Sequence, residues 1–188
     1  MRFYLDSFQN LVEALTRLPA IGKKSAKNIA FELVMRDRAA ALKLAHAIES
    51  AVSVARVCVC CGALSENELC GVCADEERDR SKICVVLSAK DIFTLEESGL
   101  WNGLYFVYES EENFVKLENM IKDRRAQEVI FAFAPSVQND ALIYLIEERL
   151  SPYGLIFSKI AHGVPTGVSL ENVDMISLAR ALEGRVKI

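Results

Sequence analysis

The sequence lacks several features that often reveal the class of a protein at once. It has no hydrophobic run approaching the roughly 18 consecutive apolar residues of a membrane helix. An internal repeat and a low-complexity tract are also absent. These absences argue against a membrane-spanning helix and a repeat protein. Residues 1–6 show no hydrophobic signal core either, so we expect a cytoplasmic protein without a membrane partner.

Basic charge is scarce in the chain as a whole. The 188 residues carry a net charge of -4, which by itself argues against a general binder of polyanions. The charge is unevenly distributed, however. Residues 17–38 hold six basic and two acidic side chains, a net charge of +4, so the rest of the chain carries -8. A nucleic-acid contact is therefore expected within residues 17–38.

The composition is that of a globular protein with a core. Apolar residues make up 52% of the chain and charged residues 26%, which excludes general disorder. Apolar stripes with helical spacing predict helices over residues 7–18, 23–34 and 39–57. After Arg80, short apolar strands alternate with helical segments, which is typical of an α/β domain with a mostly parallel sheet. The predicted strands are 83–87, 104–108, 129–134 and 154–160, and the predicted helices are 91–97, 113–125, 137–150 and 173–182.

Cysteine is concentrated between these two parts. Two C-x2-C pairs, Cys58/Cys61 and Cys70/Cys73, are separated by eight residues. This spacing lets four thiolates converge on one ion at about 2.3 Å, so we predict a tetrahedral Zn²⁺ site. Four thiolates leave no open coordination position, and the zinc is therefore expected to be structural.

Two further cysteines stand outside the predicted site. Gly62 directly after Cys61 suits the tight turn of a zinc knuckle, which favours Cys61 over Cys60 as a ligand. Cys84 lies in a strand pattern and is interpreted as a core residue. Unliganded reduced thiols and a redox C-x-x-C remain the alternatives to zinc.

Three lysines, Lys23, Lys24 and Lys27, lie at the start of the second predicted helix. The positive end of the helix dipole disfavours cations there by roughly 0.3 to 1 kcal/mol each. The penalty reverses when an anion docks, because the first backbone N–H groups of the helix also point outward. We therefore predict that these lysines contact nucleic-acid phosphates. A solvated lysine-rich surface is the alternative.

The turn before the lysines, Leu18-Pro19-Ala20-Ile21-Gly22, resembles a helix-hairpin-helix motif. Such a hairpin presents backbone amides to phosphates without reading bases. The motif usually has glycine where Ala20 stands. A P-loop is excluded, because Arg17 stands where its first glycine is required.

Further segments complete a family pattern. They are Leu18–Ala26, the four-cysteine module, Ile83–Val86, Ala161–Gly167 and Ala181–Arg185. Together they resemble the bacterial RecR family of recombination proteins over essentially the whole chain. The resemblance implies a multidomain α and α/β fold: a helix-hairpin-helix domain (1–55), a four-cysteine (C4) zinc finger (56–77), a Toprim domain (78–172) and a short C-terminal helical element (173–188). It also implies a homodimer-to-homotetramer ring that encircles DNA. Such a ring acts with RecO and RecF to load recombinase at single-stranded gaps.

The Toprim part departs from the pattern of catalytic relatives. Toprim enzymes resemble one another in a strand-end glutamate and an acidic second motif that together hold Mg²⁺. Here Leu87 stands at the glutamate position, and Gln138 and Asn139 replace two members of the second motif. Asp91 and Asp140 are the acidic matches that remain. We therefore predict no catalytic residues and a protein that is not an enzyme.

Two other functions stay open. One is a Mg²⁺-dependent Toprim nuclease or strand-passage enzyme, and the other is a zinc-stabilised protein-interaction module without DNA contact.

His162 has no cysteine or serine partner in a recognisable arrangement, so its loop is interpreted as a turn or a subunit contact. His46 is interpreted as a surface or packing residue.

Overall fold

A computed structural model describes residues 6–161, 167, 169–173, 175, 177, 179 and 181. The chain forms two units that divide after Ala55. We describe each unit by itself.

The first unit is helical, as the sequence predicts. Its helices are α1 (Asp6–Thr16), α2 (Lys23–Phe31) and α3 (Arg38–Val54), and α2 continues into a π-helical turn (Glu32–Arg36). The Phe8 and Phe31 rings meet edge to face at 6.0 Å between α1 and α2. The Asp37 side chain caps α3 by accepting a hydrogen bond from the backbone N–H of Ala40 at 2.8 Å.

Very little of the first unit is buried. Among its described residues, Ala26 and Ala30 of α2 are buried, whereas α1 and α3 contribute no buried residue. Large apolar side chains of α3 are instead exposed, namely Leu42, Leu44, Ile48, Val52 and Val54. A 55-residue unit with so small a core has little to stabilise it alone.

The second unit begins with the cysteine-rich segment. A short antiparallel hairpin, β1 (Arg56–Val57) and β2 (Leu64–Ser65), is followed by α4 (Gly71–Ala74). Alternating strands and helices come next: β3 (Asp79–Val86), α5 (Ala89–Ser98), β4 (Gly103–Val107), α6 (Phe114–Arg124), β5 (Glu128–Phe131), α7 (Val137–Leu150) and β6 (Ile156–Lys159). Short 3-10 turns span Glu111–Asn113, Ser151–Tyr153 and Leu170–Asn172.

The four long strands form a parallel sheet in the order β4-β3-β5-β6. Ile83 on β3 lies opposite Leu104 on β4 and Val129 on β5. The chain adds β4 on one side of β3 and β5 on the other. The strand order therefore reverses at β3, and the carboxyl ends of β3 and β5 flank the place where such sheets usually bind ligands.

Alternate residues of the strands pack into two separate hydrophobic cores. One core contains Ile83, Val85 and Phe106 with residues of α6 and α7. The other contains Cys84, Val86, Tyr105 and Val107 with Ile92 of α5 and the buried cysteines of the 58–73 segment. The cysteine-rich segment thus covers part of one face of the sheet. Full burial of each large side chain contributes roughly 1.5 to 3 kcal/mol.

The predicted fold class is confirmed by this architecture: helical N-terminal unit, four-cysteine cluster and parallel α/β sheet. The predicted strands lie within one to four residues of the observed ones, and α7 has the predicted bounds. Half of the predicted helix at 173–182 lies outside the described residues, as does most of the loop around His162.

Candidate metal centre and nucleic-acid surface

The four predicted metal ligands lie together in the second unit. The sulfur atoms of Cys58, Cys61, Cys70 and Cys73 all lie within 4.8 Å of one another, and all four side chains are buried. The Sγ atoms of Cys61 and Cys70 are 3.6 Å apart. Tetrahedral coordination with bonds of about 2.3 Å places two sulfurs about 3.8 Å apart. The cluster therefore has the size of a four-thiolate metal site.

Backbone amides are arranged to stabilise negative sulfur. The Cys70 N–H donates to Cys58 Sγ at 3.3 Å, and the Cys73 N–H donates to Cys70 Sγ at 3.4 Å. Metal binding needs thiolates, so these donors favour the form that coordinates.

Gly62 shapes the loop and joins it to the sheet. Its φ is +80°, a conformation that favours glycine, and a Cβ there would crowd Val107 Cβ at 3.1 Å. The Gly62 N–H donates to the carbonyl of Cys58 at 3.0 Å. The Val107 N–H of β4 donates to the carbonyl of Cys61 at 2.8 Å. The metal loop is thus attached to the edge of the parallel sheet.

The two remaining cysteines lie outside the tetrad. Cys84 is 4% exposed in β3, and burial raises the pKa of its thiol to about 12, which makes it an unreactive core residue. Cys60 is half-buried beside the tetrad. A hydrogen bond from Cys73, helped by Arg124, lowers the pKa of Cys60 to about 6. Sequence reasoning did not anticipate the proximity of Arg124, which comes from α6.

The three predicted DNA-contacting lysines are exposed at the start of α2. Gly22 precedes the helix with extended backbone angles, and no side chain caps its first N–H groups. Lys23 and Lys27 also line a cleft of about 580 Å³ against α1, and Lys24 is not among its lining residues. Arg17 lines the same cleft.

Sequence reasoning did not single out Arg17 as a site residue. Its place within the basic segment 17–38 was the available signal. With Lys23 and Lys27 it gives the cleft three basic side chains, against one acidic side chain, Glu13.

Ala20 adopts an unusual backbone conformation in the turn between α1 and α2. Its φ is +63°, in the left-handed region that glycine enters without strain. This is the position at which the helix-hairpin-helix pattern usually has glycine. The turn therefore keeps the geometry of the motif at a conformational cost.

The carboxyl edge of the sheet holds the positions of the Toprim acids. Leu87 packs against the apolar core after β3. Asp91 accepts the backbone N–H of Ser88 at 3.1 Å and completes a capping box for α5. Asp140 lies in the first turn of α7 and accepts from Lys159 at 3.5 Å. Within the described residues, no second group of three histidine, cysteine or acidic side chains is close enough to share a metal ion.

Helix length and hydropathy give one further result. No helix within the described residues is long and apolar enough to cross a membrane.

Together, these units define a class of protein: a basic helical unit followed by a four-cysteine metal module that is packed on a Toprim-like α/β sheet. Three family models match the chain. They are the RecR helix-hairpin-helix model at residues 8–52, the RecR zinc finger model with four cysteines at 55–75, and the RecR C-terminal model at 163–186.

Similar proteins agree with these matches over the full length. The Recombination protein RecR of a Nitratiruptor species is 57% identical and covers 100% of both chains. The Recombination protein RecR of Campylobacter jejuni subsp. jejuni serotype O:23/36 is 49% identical over 98% of both chains. The protein of the same name from Helicobacter pylori is 44% identical over 97% of this chain and 96% of its own. The chain belongs to the RecR family of recombination proteins.

Proposed function

We propose that this chain is a non-catalytic, sequence-independent DNA clamp of recombinational repair. In this role it acts with RecO and RecF to load recombinase at single-stranded gaps. The observation that carries the proposal is the basic cleft at the start of α2, within the segment that matches the family's helix-hairpin-helix model. The membership of the chain in a family of recombination proteins supports the role in repair.

Phosphate binding at the helix start is the proposed contact with DNA. Lys23, Lys24 and Lys27 surround the N-terminus of α2, where uncapped N–H groups and the helix dipole both favour an anion. Contacts of this kind position the backbone of DNA and do not read its sequence. Each subunit supplies few such contacts, so tight binding requires that several subunits hold the DNA together.

Self-association is supported by the exposed apolar face of α3. Leu44, Ile48 and Val52, which lie four residues apart along one side of this helix, are 47%, 56% and 74% exposed. Apolar patches of this kind mark protein interfaces. We infer that a second copy covers this face and that the homodimer assembles further into a homotetramer ring.

The proposed metal is one structural Zn²⁺ per chain, held by the thiolates of Cys58, Cys61, Cys70 and Cys73. Zinc favours a tetrahedral set of four sulfurs, and such a set leaves no position for a substrate. When bound, the ion supplies only a structural cross-link between the two loops of the module. The hydrogen bond from the Val107 N–H to the Cys61 carbonyl joins the cross-linked loops to β4.

The absence of catalysis is proposed from the residues at the sheet edge. Leu87 cannot coordinate Mg²⁺, and Asp91 is engaged in capping α5.

We also propose the domain limits 1–55, 56–77, 78–172 and 173–188 as functional divisions. The acidic remainder of the chain then contacts the protein partners, in the cytoplasm where the recombinase is loaded.

The double substitution Lys23→Ala and Lys27→Ala tests the DNA surface. We expect the affinity for a fluorescent oligonucleotide to fall by about tenfold or more. The slope of log K against log salt should become shallower by about 0.7 to 0.9 per lost contact. Fluorescence anisotropy at several salt concentrations measures both quantities.

The matched control is Lys43→Ala with Lys90→Ala, which removes the same charge from exposed positions outside the cleft. Circular dichroism and metal content check that both double variants fold. Equal affinity of the Lys23/Lys27 variant and the control would exclude the proposed surface.

A further inference from the structure

A groove in the second unit lies between the cysteine-rich segment (58–73) and α5. A residue of β4 also contributes to its lining. Its volume is about 260 Å³. Its lining includes the apolar side chains of Leu64, Val72, Phe93 and Tyr105 and two of the metal ligands, Cys61 and Cys70. Sites for drug-sized ligands or cofactors usually measure about 300 to 1,000 Å³. This groove is smaller and suits one or two apolar side chains of a protein.

The groove is bordered by large apolar side chains in contact with solvent. Leu64 of the hairpin and Phe93 of α5 are 55% and 53% exposed. Leu69, in the same metal-binding segment, is 37% exposed. Neighbouring exposed apolar residues from separate elements are typical of an interaction site.

Arg78 joins the elements on the two sides of the groove. This side chain follows the metal module and donates to Glu96 of α5 at 2.8 Å and to the carbonyl of Trp101 at 3.2 Å. It also lies 3.5 Å from Asp75. Hydrogen bonds from Arg78 lower the pKa of Glu96, so its carboxylate stays charged and paired near neutral pH. The two walls are thus held together before any partner arrives, which reduces the entropy cost of binding.

The surroundings of the groove are acidic. Residues 57–77, the segment that contributes Leu64 and Val72 to the groove, contain five acidic side chains and no lysine, arginine or histidine. All five are exposed: Glu66, Glu68, Asp75, Glu76 and Glu77. The other wall, α5, adds the exposed Glu97. The positive charge of Lys90 in this helix is balanced by the negative charge of Asp91. Such a rim attracts cationic partners and repels anionic ones.

We propose that this groove is the docking site for a basic, amphipathic segment of a second protein. One or two of its apolar side chains enter between Leu64 and Phe93, while its lysines or arginines lie over the carboxylates of the rim. This is the common mode in which a short helix or peptide docks in a groove. The proposal shares with the proposed function the idea that protein partners contact the acidic part of the chain. It does not depend on DNA binding.

The test uses a random library of twelve-residue peptides displayed on phage, selected against the full-length, metal-loaded chain. We expect the selected peptides to combine aromatic or leucine residues with lysine or arginine. Synthetic copies should bind at least about tenfold more weakly to Phe93→Asp, because an apolar anchor loses its contact. They should also bind more weakly to the double variant Glu66→Lys, Glu68→Lys and at high salt.

Val115→Asp is the matched control, because Val115 of α6 is 58% exposed and does not line the groove. Retained metal content and helical signal show that each variant folds. The proposal is overturned if no peptide is enriched, if the consensus is acidic, or if the peptides bind Phe93→Asp and Val115→Asp equally. A fall in native mass caused by Phe93→Asp would also overturn it, since the groove would then be an interface between copies.

The two proposals fail separately in this design. The Phe93→Asp variant should keep its affinity for DNA, and the Lys23→Ala, Lys27→Ala variant should keep its affinity for the peptides.

Discussion

Ala20 shows how one residue can depart from a motif while the geometry of the motif is kept. Its φ of +63° costs an L-residue roughly 1 to 2 kcal/mol relative to right-handed backbone. Glycine removes that cost, but it also gives the unfolded chain more freedom, which offsets roughly 0.5 to 1 kcal/mol. The sequence pattern identified the unusual residue, and the torsion angle explains why glycine is usual there.

The substitution Ala20→Gly is therefore expected to stabilise the helical unit by about 0.5 to 1 kcal/mol. Urea denaturation of the full-length chain, followed by far-ultraviolet circular dichroism, measures the change. As a control, Ala40→Gly in the regular helix α3 should destabilise the chain by about 0.5 to 1 kcal/mol. Destabilisation by Ala20→Gly would show that the turn is held by contacts rather than strained.

At the scale of elements, the metal loop distinguishes two adjacent cysteines. Cys61 is 1% exposed within the tetrad, and its carbonyl accepts a hydrogen bond from β4. Cys60 is half-buried outside the tetrad, close to Arg124. The glycine after Cys61 is the sequence feature that favours this assignment.

Cys61→Ser should therefore lose the bound metal and much of its stability, whereas Cys60→Ser should keep one metal ion per chain. Inductively coupled plasma mass spectrometry of the purified variants gives the metal content and the identity of the ion. The assignment is wrong if Cys60→Ser loses the metal and Cys61→Ser retains it.

The elements also show where sequence patterns succeed and where they stop. Helix α7 was predicted with its observed bounds, because its apolar residues, its Ser136 cap and Pro135 are local signals. Strand β3 begins at Asp79, four residues before the prediction, since Asp79–Lys82 carry no apolar run. The π-helical turn after α2 likewise has no local signal.

Contacts between residues far apart in the chain could not be predicted from the sequence pattern. The bond from Val107 to Cys61 joins backbone groups that are far apart in the chain, and backbone groups carry no side-chain signature. The Arg78 bridge and the groove beside it have the same origin, since they depend on how α5 packs. The four metal ligands, by contrast, follow from the spacing of the cysteines together with Gly62.

In the whole molecule, charge and exposed apolar surface are divided between the two units. The helical unit carries a net positive charge, and the large apolar side chains of α3 are exposed there. The second unit carries an excess of acidic residues and a well-packed core. The proposed clamp, with DNA on one unit and protein partners on the other, is consistent with the net charge of -4 and its distribution.

We propose that DNA is held by an assembly of chains and not by a single chain. Native mass and DNA affinity, measured together across a range of protein concentrations, test it most directly. We expect tight, salt-sensitive and sequence-independent binding to rise in step with the tetramer. Ile48→Asp on the exposed face of α3 should lower both quantities together. Full DNA affinity at concentrations where the chain is monomeric would contradict the account.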